Sequence, residues 1–158
     1  MHPPSLQNTP NAIWASAGAA EGDTELNAFD NALLAARVGN LNLIRVSSVL
    51  PQDATVLDQP PQIKPGSLVP TVYSVHVSAR PGETVAAAVG IGIAEGSHGM
   101  IYESHGTSLH EVEATVRQMI DAGFARRGLR LKEVIVRSIE HKVERIGCAV
   151  AAVVLWWR

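Results

Sequence analysis

The sequence predicts an α/β fold, an αββα-type sandwich in which antiparallel or mixed sheets are flanked by helices. Three observations support this. Short runs of β-branched and small apolar residues recur at 13–18, 41–46, 69–79, 84–94, 100–104, 131–140 and 146–157. Two stretches, starting at Glu25 and Ser108, carry three- and four-residue spacing instead of alternation. The resulting order, βαβ, ββ, β, α, ββ, places two helices over a sheet system.

Residues 1–11 are polar and proline-bearing with no apolar period, which predicts a loose leader on a single domain spanning 1–158. Ile13 to Gly18 reads as a strand and Ala20 to Thr24 as a loop. Leu26, Phe29, Leu33 and Leu34 then mark a helix of about a dozen residues, with Thr24 or Asp23 placed to cap it and Gly39 just past its end. Leu41 to Val46 is short, partly β-branched, and bounded by Gly39 and Pro51, which predicts a strand. Gln52 to Pro70, with Pro60, Pro61 and Pro65, reads as a long ordered loop of the kind used as a lid or interface.

Val69 to Ala79 and Thr84 to Ala94 are joined by Arg80-Pro81-Gly82-Glu83 and are expected to form an antiparallel pair. A strand at Met100 to Ser104 follows. Ser108-Leu109-His110-Glu111 is a capping-box signature, with Val112, Val116, Met119, Ile120 and Phe124 on one face and Gly128 as the stop. Leu131 to Glu140 and Ile146 to Trp157 close the chain as two strands, and at most one of Trp156 and Trp157 faces the core.

A chain of 158 residues with 46% hydrophobic and 18% charged residues can fill one sizeable core. Its net charge of −2 gives no basic footprint for nucleic acid. No run of about 18 apolar residues predicts a membrane span, and no basic region followed by an apolar block marks a signal peptide. Cys148, alone in an apolar run, is expected to be a buried inert thiol and fits a reducing, cytoplasmic location. Gly90, Gly92 and Gly96 are spaced G-x-G-x-x-x-G, which suits close strand packing better than a dinucleotide. His76, His98, His105, His110 and His141 match no zinc spacing, so no metal is expected.

The chemistry centres on Ser47-Ser48, at the end of an apolar run and just before Pro51. A serine hydroxyl can attack the preceding carbonyl and turn an amide into an ester when the backbone is strained and a donor stabilises the oxyanion. β-Elimination of that ester and hydrolysis leave an N-terminal pyruvoyl group, an electrophilic ketone able to take a substrate amine as a Schiff base and to act as an electron sink. Two adjacent serines alone are commonplace in a strand-to-loop turn. Either serine, with a histidine and Asp30, could also make a hydrolase triad, although no G-x-S-x-G elbow is present.

Glu25-Leu26-Asn27-Ala28-Phe29-Asp30-Asn31-Ala32-Leu33-Leu34, Gly39-Asn40-Leu41-Asn42-Leu43 and Val46-Ser47-Ser48-Val49-Leu50-Pro51, in this order and tightly spaced, resemble the pyruvoyl-dependent arginine decarboxylase family. The resemblance is specific over about residues 13–51 and looser beyond. It implies an α/β sandwich, a homotrimer or dimer of trimers with active sites between subunits, and self-cleavage between Ser47 and Ser48 into 1–47 and 48–158. It implies that Ser48 becomes the covalent pyruvoyl cofactor, that Ser47 is the new C-terminus, and that Asn42 assists processing.

By the same resemblance Asp30 receives the substrate guanidinium, which a bidentate carboxylate suits; as a plain helix residue it would face solvent or pair with Arg37. Glu103 corresponds to the general acid that protonates carbon after carbon dioxide leaves, a task needing a carboxyl kept neutral by an apolar site; Glu95 competes for that role. The implied activity converts L-arginine to agmatine and carbon dioxide without pyridoxal phosphate or metal, for polyamine synthesis or acid resistance. The alternatives are a pyruvoyl decarboxylase for another amino acid, or a non-catalytic oligomeric module of the same fold.

Overall fold

Two sheets stack face to face in the computed structural model, which describes residues 9–47 and 49–158. In chain order the elements are β1 (Ala12–Glu21), α1 (Glu25–Ala35), β2 (Asn42–Arg45), β3 (Val49–Leu50), β4 (Thr55–Val56), β5 (Leu68–Ser78), β6 (Thr84–Ala94), β7 (Gly99–Gly106), α2 (Leu109–Arg127), β8 (Leu131–Lys142) and β9 (Gly147–Trp156). One sheet runs β2-β5-β9-β1-β4 and is mixed; the other runs β3-β7-β6-β8 and is antiparallel. Helix α1 packs on β1 and β9, and α2 on β6 and β7. The layers are therefore helix, sheet, sheet, helix, as expected.

The helix ends follow local chemistry. Thr24 is the N-cap of α1, its hydroxyl accepting the Asn27 N–H at 3.0 Å. The C-terminus differs from expectation: the left-handed residue is Arg37, at φ 66°, and not a glycine. Arg37 N–H donates to Leu34 C=O and Val38 N–H to Leu33 C=O, both at 3.0 Å, which is the paired bonding that closes a helix. An L-residue adopts this conformation at a cost of about 1–2 kcal/mol, and the fully buried Val38 anchors it. Ser108 caps α2, and Gly128, at φ 64°, ends it. Met119 is partly exposed, while Gly123 takes the buried place against Tyr102.

The expected β5–β6 hairpin does not form, because each strand belongs to a different sheet. The Pro81-Gly82 turn carries the chain from one layer to the other. Strand β6 is nearly all buried and so needs neighbours on both edges, β7 and β8, as well as cover on both faces. Strand β5 turns Val69, Val75 and Val77 towards the α1 cluster and Ser74 towards β6, whose Ala88 C=O accepts the Ser74 hydroxyl at 3.1 Å. Strands β8 and β9 change sheets in the same way. The two crossings are tied together: Gly82 N–H donates to Val143 C=O, and Val143 N–H to Glu83 C=O, both at 2.8 Å.

Ile13, Val72, Val85, Val89, Ile91, Ile101 and Val153 fill the space between the sheets. Gly90 and Gly92 let α2 approach: a Cβ on Gly92 would stand 2.6 Å from Phe124. The stretch expected as one long loop contains β4, which pairs with β1. Asn11, expected in the leader, is fixed by bonds from its N–H to Trp156 C=O and from Thr55 N–H to its own C=O. Cys148 is fully buried, and burial pushes its thiol up to about 12. No helix among the described residues is long and apolar enough to cross a membrane.

Candidate active site

Strand β2 lies at the edge of the first sheet beside β5, and β3 at the edge of the second beside β7. The chain crosses between sheets from Arg45 to Val49, and Ser47 sits in that crossing. Ser48, the expected reactive serine, lies outside the described residues. Val49 pairs with Met100 and Leu50 with Gly99, antiparallel. Past Met100, β7 continues through Ile101, Tyr102 and Glu103. Alongside lies a cavity of about 500 Å³ lined by Ile44, Val46, Ser47, Val49, Leu155 and Trp157.

Alternation along β7 aims Glu103. Met100 and Tyr102 face α2, and Ile101 faces the core between the sheets, so Glu103 returns to the inter-sheet side, in register with Val89 of β6. Its Oε2 is buried and finds no hydrogen-bond partner among the described residues. Burial pushes the carboxyl above the ordinary carboxylate range, against the opposing pull of Arg45 and His105. An oxygen without donors disfavours the anion, so this carboxyl is suited to holding a proton. Arg45 is held away from a direct bond to it: its guanidinium lies 4.2 Å over the Tyr73 ring and donates to Tyr73 C=O at 3.0 Å.

The other expected residues are placed differently. Glu95 follows β6 in an exposed turn and pairs with Arg130 at 3.3 Å. Asp30 is exposed on α1, outside the first sheet, and has no ion pair among the described residues; the Arg37 guanidinium lies instead 6.0 Å from the Trp14 ring. Asn42 opens β2, where its side-chain N–H donates to Gly66 C=O at 2.8 Å. Three strand steps, about 10 Å, separate it from Arg45, and the chain continues through Val46 and Ser47 before position 48. Within one chain Ser47 lies just before β3 and Glu103 on its neighbour β7, whereas Asp30 is exposed on α1 and Asn42 opens β2. No hydrogen bond joins Ser47 to a histidine among the described residues, and no group of three or more metal-binding side chains occurs among them.

Sequence reasoning passed over Arg45 and took His105 only as a zinc candidate. Period-two reading of Ile101, Glu103 and His105 would have put all three on one face. The signal for Arg45 is only its place three residues before Ser48.

Residues 12–157 match the family model described as pyruvoyl-dependent arginine decarboxylase. The chain belongs to the pyruvoyl-dependent arginine decarboxylase family. Similar proteins carrying that name include one from Methanocaldococcus jannaschii, 45% identical and covering 94% of this chain and 92% of the relative. Those from Pyrococcus horikoshii and Pyrococcus furiosus are 48% and 47% identical, each covering 94% of this chain and 96% of the relative. The surroundings of position 48 fit the prosthetic group for which the pyruvoyl-dependent family is named. An apolar cavity flanks Ser47 and Val49, and a carboxyl with an unpartnered oxygen lies on the adjoining strand.

Proposed function

We infer that the chain is a self-processing pyruvoyl-dependent arginine decarboxylase that forms agmatine and carbon dioxide, cut between Ser47 and Ser48. The observation that carries the site assignment is Glu103: a carboxyl with a buried, partnerless oxygen on the strand beside the Ser47–Val49 crossing. A pyruvoyl group formed from Ser48 would supply an electrophilic ketone conjugated to an amide, a point of attachment for the substrate amine and a sink for electrons. Glu103, whose carboxyl burial pushes above the ordinary carboxylate range, delivers its proton to the α-carbon.

Asp30 receives the guanidinium through two parallel hydrogen bonds. Because Asp30 and Asn42 stand away from Glu103 within one chain, we assign them to the site of a neighbouring copy in a trimer, or a dimer of trimers, with active sites between subunits. Two features support that contact. Leu26, Asp30 and Leu34 share the outer face of α1 at four-residue spacing, with the leucines 74% and 49% exposed. Among the described residues strand β2 pairs only with β5 and leaves its outer side as a sheet edge. Asn42 then assists cutting, and a lone, buried Cys148 is in keeping with a cytoplasmic enzyme.

Denaturing mass spectrometry with an agmatine assay tests this reading. The expressed chain should yield fragments 1–47 and 48–158, the second blocked at its N-terminus, and should release agmatine from arginine. Ser48→Ala should stay whole at about its 16.8 kDa mass and be inactive. An uncut, active wild-type chain would refute the assignment.

A further inference from the structure

Decarboxylation consumes one proton per turnover. When the O–H bond of Glu103 breaks and a C–H bond forms on the substrate, Glu103 is left as a carboxylate and must regain a proton before the next cycle. Its buried Oε2 has no donor among the described residues, so the proton needs a route. Strand β7 provides one two residues on. His105 lies on the same face as Glu103, and side chains at that spacing root about 7 Å apart, a gap that a glutamate and an imidazole span between them. His105 is also solvent-exposed.

A second histidine fixes this one. His76, on the inter-sheet face of β5, meets His105 edge to face with ring centroids 5.6 Å apart. Its Nδ1 is hydrogen-bonded to Gly106 C=O, and because a carbonyl can only accept, that nitrogen carries the proton. The bond clamps the His76 ring to the end of β7 and holds the His105 ring against it. The charged and titratable groups around Glu103 are then Arg45 from β2, His105 on its own strand and, through His105, His76 from β5. Strand β6 sets Val89 and Ala87 opposite Glu103 and His105, and β3 adds Val49 and Leu50.

We propose that His105, oriented by His76, returns the proton to Glu103 after each turnover. An N–H bond of the His105 imidazolium breaks as the O–H bond of Glu103 re-forms, and the neutral imidazole then takes a proton from water or buffer. The net change is one solvent proton consumed for each carbon dioxide released. His105 acts through Glu103 and is a positioning residue for its proton. The inference rests on Glu103 being the acid.

The test uses the full self-cut enzyme and the variant His105→Gln, with cutting read from the two fragment masses. His105→Gln should be cut normally and keep the KM for arginine, while kcat at neutral pH falls at least about tenfold. Added imidazole should restore kcat in proportion to its concentration and leave the wild type unaffected. Unchanged kcat in a normally cut His105→Gln overturns the relay. Should that variant fail to fold or be cut, His105→Asn takes its place with the same kcat and imidazole readouts, and an unchanged kcat in it overturns the relay. An inactive Glu103→Gln beside a fully active His105→Gln removes the relay alone, whereas an active Glu103→Gln removes the acid assignment beneath it.

Discussion

Glu103 and Glu21 are two partly buried glutamates with opposite chemistry. For both, desolvation is the largest single influence and favours the protonated form. Glu103 has little to set against it: one oxygen lacks a donor, Arg45 is tied to Tyr73, and the carboxyl ends above the ordinary range. Glu21, at the end of β1, has donors on both oxygens. Its Oε1 accepts the Arg145 N–H at 2.7 Å, and its Oε2 meets His141 Nε2 at 2.6 Å. These bonds, with the Glu144 N–H, outweigh desolvation and hold the carboxyl below the ordinary range. Both the donors and the depth of burial differ: Glu103 is the more deeply desolvated and lacks donors, while Glu21 is more open and has donors on both oxygens. One carboxyl keeps an oxygen without a donor among the described residues, and the other staples β1 to the β8–β9 turn.

The largest effect that would break this comparison is on catalysis. Glu103→Gln should leave self-cutting intact and reduce kcat by about 10²–10⁴-fold, the range ascribed to a positioned acid. Agmatine release per cut chain is the measurement, and an unchanged rate would place the acid elsewhere. The matching change at the staple should act on stability alone. Glu21→Gln should keep kcat and KM while lowering unfolding free energy by about 1–2 kcal/mol, the worth of a charge-assisted bond in a partly covered setting.

The pH dependence of that loss follows from the sign of the Glu21 shift. A carboxyl held lower in the folded chain than in the unfolded one stabilises the fold fully above the unfolded value, about pH 4.3, and loses that contribution as pH falls through the folded value. Denaturation midpoints of wild type and Glu21→Gln should therefore differ at neutral pH and converge on acidification. A gap that widened in acid would refute the staple.

The layering was legible in the sequence because caps and periodicity are local. Thr24, Ser108 and Gly128 bound their helices as read, while the left-handed Arg37 was hidden because its support, the buried Val38, comes from tertiary packing. Strand partners were less legible. Pro81-Gly82 looks like a hairpin turn from inside its own segment, but sheet membership is decided by which faces are buried, and β6 needs cover on both. At the site, Ser47 and Ser48 carry no signal of their own beyond the resemblance to the family. Choosing between Glu103 and Glu95 required burial, and the setting of Arg45 on Tyr73 required the pairing of β2 with β5.

Glu95 sharpens the comparison from the other side and should give the smallest effect. It resembles Glu21 in having a basic partner, Arg130, but the two side chains are 51% and 82% exposed, so water already solvates both charges. An exposed pair of this kind contributes about 0–1 kcal/mol, and its turn leaves the carboxyl open to solvent. Glu95→Gln should therefore be cut, should turn over arginine at the wild-type rate, and should unfold within about 0.5 kcal/mol of wild type. Loss of activity in Glu95→Gln with retention in Glu103→Gln would invert the assignment, because a carboxyl that protonates carbon would then be working from solvent with an ion-pair partner rather than from a half-buried site with an unpartnered oxygen.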